Sequence, residues 1–457
     1  MNVGMFDSFI TRHWYNAEAR RIWSDSATLQ TWLDVEVALA SAQAELGVIP
    51  ANAAQIIKAR ADATAFDLVR LSREIAFAQH PFVPVLRQFE ELCGEPAAGY
   101  IHWGATTQNI FDTANSLQMA KSHRLTLDFL AGAITRLIAL AQEHKHTLQA
   151  GRTHGQHALP MTFGFKVAGW LDELNRDRLR LEQRFSSSFV ASMGGAIGTF
   201  AAIGEKGPAV EQLMAQELGL APAGLPMRCS FDRVSDYVSA LGLLAGTAEK
   251  IAHDIVFLQR TEISEAEEAF HLGKVGSSTM AQKRNPTTAL MLISMGRLMR
   301  AKVPLALESM VRMDEGDSST SNVSDVMLPE IGVLAVSLAE TLEQLLCGLL
   351  VHPEAMKRNA EMTNGLIVSE AVMMRLTETT GRHHAHHLLY EAAQRAIAER
   401  IPFLDAIREH PSLKSHGLPS NFLDEALTID NYVGESSRLV DKVTAHVRPS
   451  SSPKSPQ

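Results

Sequence analysis

Cysteine is scarce: Cys93, Cys229 and Cys347 are odd in number, far apart and in no CxxC pair. That excludes a disulfide framework and a cysteine zinc site, and it fits the reducing cytoplasm expected for this chain. Aromatic residues are only 6% of the 457, while Ala, Leu, Met and Glu are plentiful, which favours helices over β-sandwiches or barrels. Positive charge is in deficit, with a formal net charge of −9. A sequence-independent nucleic-acid binder needs the opposite balance, although a local basic pocket for a small anion remains open. No run of about 18 uninterrupted apolar residues occurs, so no membrane span is expected. The start, MNVGMFDSFITRHWYN, lacks the basic stretch and apolar core of a signal peptide.

What is present is helical periodicity. Leu29, Trp32, Leu33, Val37, Ala40 and Ala44 predict a helix over 27–46, closed by Gly47 and Pro50. Over 233–268, Val234, Val238, Leu241, Ala245, Ala248, Ala252 and Ile255 step alternately by four and three. That heptad seam predicts one helix roughly 50 Å long at about 1.5 Å per residue. Gly242 and Gly246 inside it would let a neighbouring helix approach closely. Further long helices are expected at 124–148, 163–186 and 328–350, together an all-α, elongated bundle completed by other subunits. The acidic run EISEAEEAF reads as the exposed end of the longest helix.

Breaks near 93–112, 149–162, 187–208, 271–287 and 351–365 divide the chain into 1–112, 113–352 and 353–457. The Ser/Pro-rich tail from about 448 is expected to be disordered. The 18 methionines read as core filler. His383, His384, His386 and His387 could share a helix face but lack an evident carboxylate or thiol partner, so a solvated face is expected and no metal site.

Three of the breaks carry chemistry. Gly276-Ser277-Ser278-Thr279-Met280-Ala281-Gln282-Lys283-Arg284-Asn285-Pro286 combines hydroxyls, an ammonium and an amide on a glycine-based loop. A serine becomes a competent base only if backbone N–H groups and a cation stabilise its oxyanion. A solvated Ser/Gly linker would have the same composition. Gly151-Arg152-Thr153-His154-Gly155-Gln156-His157 places a histidine in a tight turn; an imidazole titrates near neutrality and is the usual general acid or base, though many loop histidines are merely exposed. His102-Trp103-Gly104-Ala105-Thr106-Thr107-Gln108-Asn109 runs into a helix from Asp112, a setting that suits a carboxylate and equally an ordinary N-cap.

Together and in this order the three segments resemble the signature regions of the fumarase/aspartase superfamily. GSSTMAQKRNP resembles that family's GSSxMPxKxNP loop, with Ala281 replacing the usual proline. GRTHGQHALPMTFGFK resembles its Thr-His region and HWGATTQNIFDTA its Thr/Ser-rich region. The likeness extends through RIWSDSATLQTWLDVEVALASAQAELGVIP, KIAHDIVFLQRTEISEAEEAF and YVGESSRLVDKV, so it covers nearly the whole chain. It is closest to the adenylosuccinate lyase and 3-carboxymuconate cycloisomerase branches.

The resemblance implies a three-domain, almost all-α protein that forms a homotetramer, with active sites shared between three subunits and no cofactor or metal. It implies β-elimination from a succinyl group of a small di- or tricarboxylate, releasing fumarate. Ser277 would remove the proton and His154 would protonate or orient the leaving group. Lys283 and Asn285 would stabilise the aci-carboxylate. Thr106, Thr107, Gln108, Thr153, Gln156, Ser278, Met280, His80 and His102 would surround the substrate.

Within the two branches the residues diverge. Where adenylosuccinate lyases have an Arg-Tyr near the N-terminus, this chain has His13 and Trp14, and two arginines of their ERDISHSSVER-like stretch fall on Gly316 and Asp325. Gly and Asp cannot replace a bidentate guanidinium clamp. His80 does match a histidine of that branch. Bacterial cycloisomerases commonly carry Trp at the position of His154. The leading expectation is therefore a lyase acting on an N-substituted aspartate. Cycloisomerase, adenylosuccinate lyase and an inactive crystallin-like scaffold are the alternatives.

Overall fold

A computed structural model describes residues 5–271, 273–415, 423 and 425–448; the Ser/Pro-rich tail beyond 448 lies outside the described residues. Helices dominate. The N-terminal part runs α1 (Ala17–Ile22), α2 (Asp25–Glu45), α3 (Ala51–Arg60), α4 (Leu68–Ala78) and α5 (Val83–Cys93). Its core gathers Leu33, Leu39, Phe82, Phe89 and Ile110.

The central part holds α6 (Thr107–Glu143), the hairpin β1 (Leu148–Thr153) and β2 (Gln156–Thr162), α7 (Phe163–Ser188), α8 (Gly207–Leu218), α9 (Asp232–Leu258), α10 (Thr287–Glu308) and α11 (Ser318–Cys347). Five of these close a ring: α6 packs on α7, α7 on α9, α9 on α10, α10 on α11, and α11 back on α6. The heptad seam of α9 explains the arrangement, since all seven of its residues lie in or against the main core. α8 leaves the ring and packs on α2, carrying Val210 and Met214 into the N-terminal core. After α12 (Pro353–Glu361), α13 (Ser369–Thr380), α14 (Arg382–Glu399) and α15 (Phe403–Glu409) enclose a separate core around Leu376, Leu389 and Phe403. α16 (Pro411–Ser415) follows, and α17 (Ser436–His446) returns to pack on α7 and α6. The four histidines of α14 are exposed.

α6 and α11 are each long and apolar enough to cross a membrane by composition alone. For α11, 67% of that apolar window is buried inside the chain, as a bundle core requires.

Several helix limits differ from the periodicity. α6 begins at Thr107 rather than Asp112 or 124, because Asn109 Oδ1 accepts the Thr106 N–H at 3.0 Å and caps the first turn. It ends at Glu143, so 144–147 leads into the hairpin. α11 begins at Ser318, where the Asp317 carboxylate accepts the Ser319 N–H at 2.9 Å, and it accommodates Pro329 internally. The expected boundary at 351–365 contains α12. Of the two seam glycines, Gly242 has the expected role: a Cβ there would lie 2.6 Å from Val303 Cγ2 of α10. Gly246 faces open space within the chain.

The largest correction concerns the acidic run. The seam helix α9 does not continue to 268. It ends at Leu258, about 40 Å in length, and the chain doubles back through Ser264 in the left-handed region, with the Glu265 N–H donating to Leu258 O at 2.9 Å. β3 (Ala266–Glu267) then pairs with β4 (Leu350–Val351). The reason is electrostatic. Glu265 is fully buried, and its carboxylate accepts from Arg152, from Gln149 Nε2 at 2.7 Å and from Asn359 Nδ2 at 2.8 Å. Glu268 is buried as well. It ion-pairs with Lys274 at 2.5 Å and accepts the first N–H groups of α10, Thr288 at 3.1 Å and Ala289 at 3.0 Å. A buried carboxylate must be paired, and those partners override helix propensity.

Glu265→Gln leaves the Arg152 guanidinium buried without its counter-charge and should cost about 3–5 kcal/mol, read as a lower urea midpoint. An unchanged midpoint would mean that the pair does not hold the hairpin. Gly242→Val forces α9 and α10 apart and should cost about 1–3 kcal/mol in the same assay, whereas an unshifted transition would show that the helices do not meet there.

Candidate active site

The Thr-rich segment sits where α2 meets α6. Glu36, only 2% exposed, holds His102 twice: its Oε1 lies 2.6 Å from His102 Nδ1, and its Oε2 accepts the His102 N–H at 3.1 Å. His102 adopts φ 58° and Gly104 φ 72°, and Gln43 Nε2 donates to Trp103 O at 2.7 Å. The chain is thereby turned so that Thr106 and Thr107 stand at the N-terminus of a 37-residue helix, the end that favours an anion. Gln108 Nε2 donates to Asp112 Oδ1 at 2.6 Å, and burial pushes the Asp112 carboxyl up to about 6. His80 belongs to the same corner. Its Nδ1 accepts the Phe82 and Val83 N–H groups at 3.2 and 3.1 Å, and the Phe82 ring lies 5.5 Å from that of His102.

The Thr-His segment is a β-hairpin rather than a loop. Its strands pair Leu148 with Thr162 through to Thr153 with Gln156, with an irregularity between Ala150 and Arg152. The turn consists of His154 (φ 53°) and Gly155 (φ 77°). Two positive φ values in a two-residue connection match the twist of the flanking strands. Thr153, His154 and Gln156 all project into solvent at the tip, while the base is fixed by the Arg152–Glu265 pair. His157 is held low by burial and by the Arg152 charge.

The third segment spans the gap between β3 and α10. Its neck is closed by Asn285, whose Nδ2 donates to Gly276 O. A Cβ on Gly276 would collide with Lys283 O. Above the neck, Ser277 Oγ accepts the backbone N–H groups of Thr279 at 3.2 Å and Met280 at 3.0 Å. Ser278, Met280 and Lys283 are exposed, and Ser277 is partly so. Arg284 stacks on Phe270, with 4.7 Å from Cζ to the ring centroid.

His80, His102, Thr106, Thr107 and Gln108 are therefore gathered at one corner. The hairpin tip (Thr153, His154, Gln156) and the serine loop (Ser277, Ser278, Met280, Lys283, Asn285) are rooted on Glu265 and Glu268. Among the described residues, no hydrogen bond or ion pair joins one of the three segments to another. The carboxylates that position them, Glu36, Glu265 and Glu268, escaped the motif reading. A signal existed for Glu36, which falls on the apolar stripe Leu29–Leu33–Ala40 of α2.

Comparison with known proteins accords with this layout. The family model described as Lyase matches residues 14–299, and that described as Adenylosuccinate lyase C-terminus matches 365–443. The chain is 38% identical to N-acetyl-S-(2-succino)cysteine lyase of Dickeya dadantii, over 93% of each chain. It is also 38% identical to adenylosuccinate lyase of Pyrococcus abyssi, over 94% of this chain and 95% of the relative. The crystal structure of 3-carboxy-cis,cis-muconate lactonizing enzyme from Pseudomonas putida superposes with a TM-score of 0.87 at 32% identity, covering 95% of this chain and 97% of the other. Full-length likeness in sequence and fold, with the signature segments in order, leads to one conclusion: the chain belongs to the fumarase/aspartase superfamily and is a lyase of its adenylosuccinate lyase-like and carboxymuconate cycloisomerase-like branch.

Proposed function

We propose that this enzyme catalyses β-elimination from a small substituted succinate of the N-substituted aspartate type, releasing fumarate and an amine. The observation that carries the reading is the setting of Ser277. Its Oγ already accepts two backbone N–H groups, and Lys283 lies in the same exposed loop. Those are the donors and the cation that a serine oxyanion requires.

In the reaction, the Ser277 oxyanion takes the proton next to one carboxylate, giving an aci-carboxylate. Lys283 and the second N–H of Asn285 stabilise its charge, and Thr106 and Thr107 hold carboxylate oxygens at the start of α6. The C–N bond then breaks as the C=C bond forms, and His154 delivers a proton to the departing nitrogen. His80, His102, Gln108, Thr153, Gln156, Ser278 and Met280 line the substrate. Closure of the loop over its Gly276–Asn285 neck expels water.

Because, among the described residues, no hydrogen bond or ion pair joins the three segments, the reading includes a homotetramer in which three subunits compose each site; it also takes the enzyme to be cytoplasmic. The exposed Leu290, Leu298 and Leu305 on α10 support association. A second reading, a thioether leaving group, is favoured by the likeness to the succinocysteine lyase. The cycloisomerase reading is disfavoured by His154 in place of Trp.

The test is fumarate formation from a panel of N-substituted aspartates, repeated with S-substituted succinates and with 3-carboxymuconate. Ser277→Ala should lower the elimination rate by roughly 10³-fold or more without changing the circular dichroism spectrum; near-normal turnover would remove Ser277 from the mechanism. His154→Asn should lower amine release by about 10²–10⁴-fold while sparing exchange of the substrate's β-hydrogen with D₂O. Equal loss of both signals would make His154 structural, and retained activity in His154→Trp would favour the cycloisomerase.

A further inference from the structure

Beside the Thr106–Gln108 corner, four stretches of chain converge on two arginines. The glycine-rich turn 194–198 reaches the corner, where a Cβ on Gly195 would lie 3.2 Å from Gly104 O, and it packs on Pro226 through Gly198. Arg228 Nη1 donates to Ala196 O of that turn at 2.6 Å. Arg312, just beyond α10, donates through Nε to Ser309 O and through Nη1 to Arg228 O, both at 3.0 Å, and its guanidinium stacks 4.3 Å over the Phe231 ring.

These two cations are unusually placed. Among the described residues neither forms an ion pair, and each spends its bonds on backbone carbonyls. Arg228 Nε and Arg312 Nη2 are buried without a hydrogen-bond partner. Counter-charge reaches them only at longer range, from Asp112, Asp317 and Asp325. A partly buried guanidinium with idle donors is costly unless an oxyanion completes it.

The space Arg228 occupies is left open by a glycine. A Cβ on Gly316 would lie 3.1 Å from Arg228 Cζ and Nη2 and 3.2 Å from Nη1. The Arg228 guanidinium thus fills the side-chain volume of position 316, and the cation missing from 316 in the sequence is supplied from 228.

We infer that Arg228 and Arg312 form a receptor for a carboxylate carried by the leaving group of the substrate; this rests on the elimination reading above. The succinyl carboxylates have their donors at the start of α6. The arginines lie beyond them, past Gln108 and one helical turn along at Asp112. A carboxylate is favoured over a phosphate because Asp112, Asp317 and Asp325 around the arginines already offset much of their charge, leaving little excess positive charge for a dianion.

The test compares kcat/KM for matched substituted succinates whose leaving group ends in a carboxylate, a phosphate or an uncharged amide, in amine and thioether series. The carboxylate should be preferred over the amide by about 10²-fold. Arg228→Ala should abolish that preference, Arg228→Lys should retain part of it, and Arg228→Ala combined with Gly316→Arg should restore it. Equal rates for carboxylate and amide would overturn the receptor while leaving the elimination reading intact, and a preference for phosphate would overturn the choice of anion. Calorimetry with N-acetyl amino acids keeps the two readings separable. If no succinate is cleaved but such carboxylates bind the wild type and not Arg228→Ala, the receptor stands and the elimination reading fails. If they bind both equally, the receptor fails.

Discussion

Two buried carboxylates three residues apart hold this molecule's working parts in place. Glu265 ties the hairpin that carries His154 to the end of α9 and, through Asn359, to α12. Glu268 caps α10 and pairs with Lys274, and so sets both roots of the loop that carries Ser277. Each anion is fully enclosed and each is satisfied by several donors, so neither can move without exposing an unpaired charge in a low-dielectric interior. The five-helix ring could exist without them. The relative placement of the hairpin tip and the serine loop could not.

The same arrangement divides rigid from mobile. His154 and Ser277 stand on a turn and a loop, elements with few apolar contacts and little to resist motion. Their roots are among the least mobile parts of the fold, since helices α9 and α10 are locked by a seam of small and branched residues. Chemistry that needs water expelled only during turnover is well served by this contrast.

Much of this was legible in the sequence. The seam Val234 to Ile255 marked the central helix, and the three segments carrying Ser277, His154 and Thr106 announced themselves by motif. What was not legible has a common cause. The run around Glu265 and Glu268 has helical propensity and charge, and both point to a solvated helix. Only the tertiary partners Arg152, Lys274 and Asn359, each distant in sequence or hidden in a turn, reverse that reading. The hairpin at 148–162 was hidden for a similar reason, because its strands contain Gly151 and Pro160 and its identity rests on pairing across the turn. Glycine 316 reads as a lost side chain until the neighbouring guanidinium is seen to need the room.

The left-handed backbone at His154 has an evolutionary corollary. A position with φ near 53° is comfortable for glycine and tolerable for asparagine, aspartate or histidine, and it penalises β-branched residues. The tip of this hairpin therefore draws on a short alphabet of side chains, most of them polar, of which only histidine exchanges a proton near neutral pH. Drift at that position is channelled by geometry towards glycine, asparagine and aspartate, so a bulky or β-branched replacement carries a backbone penalty. Keeping a histidine at such a turn costs backbone strain that glycine would avoid, so the side chain is retained against the local geometry rather than because of it.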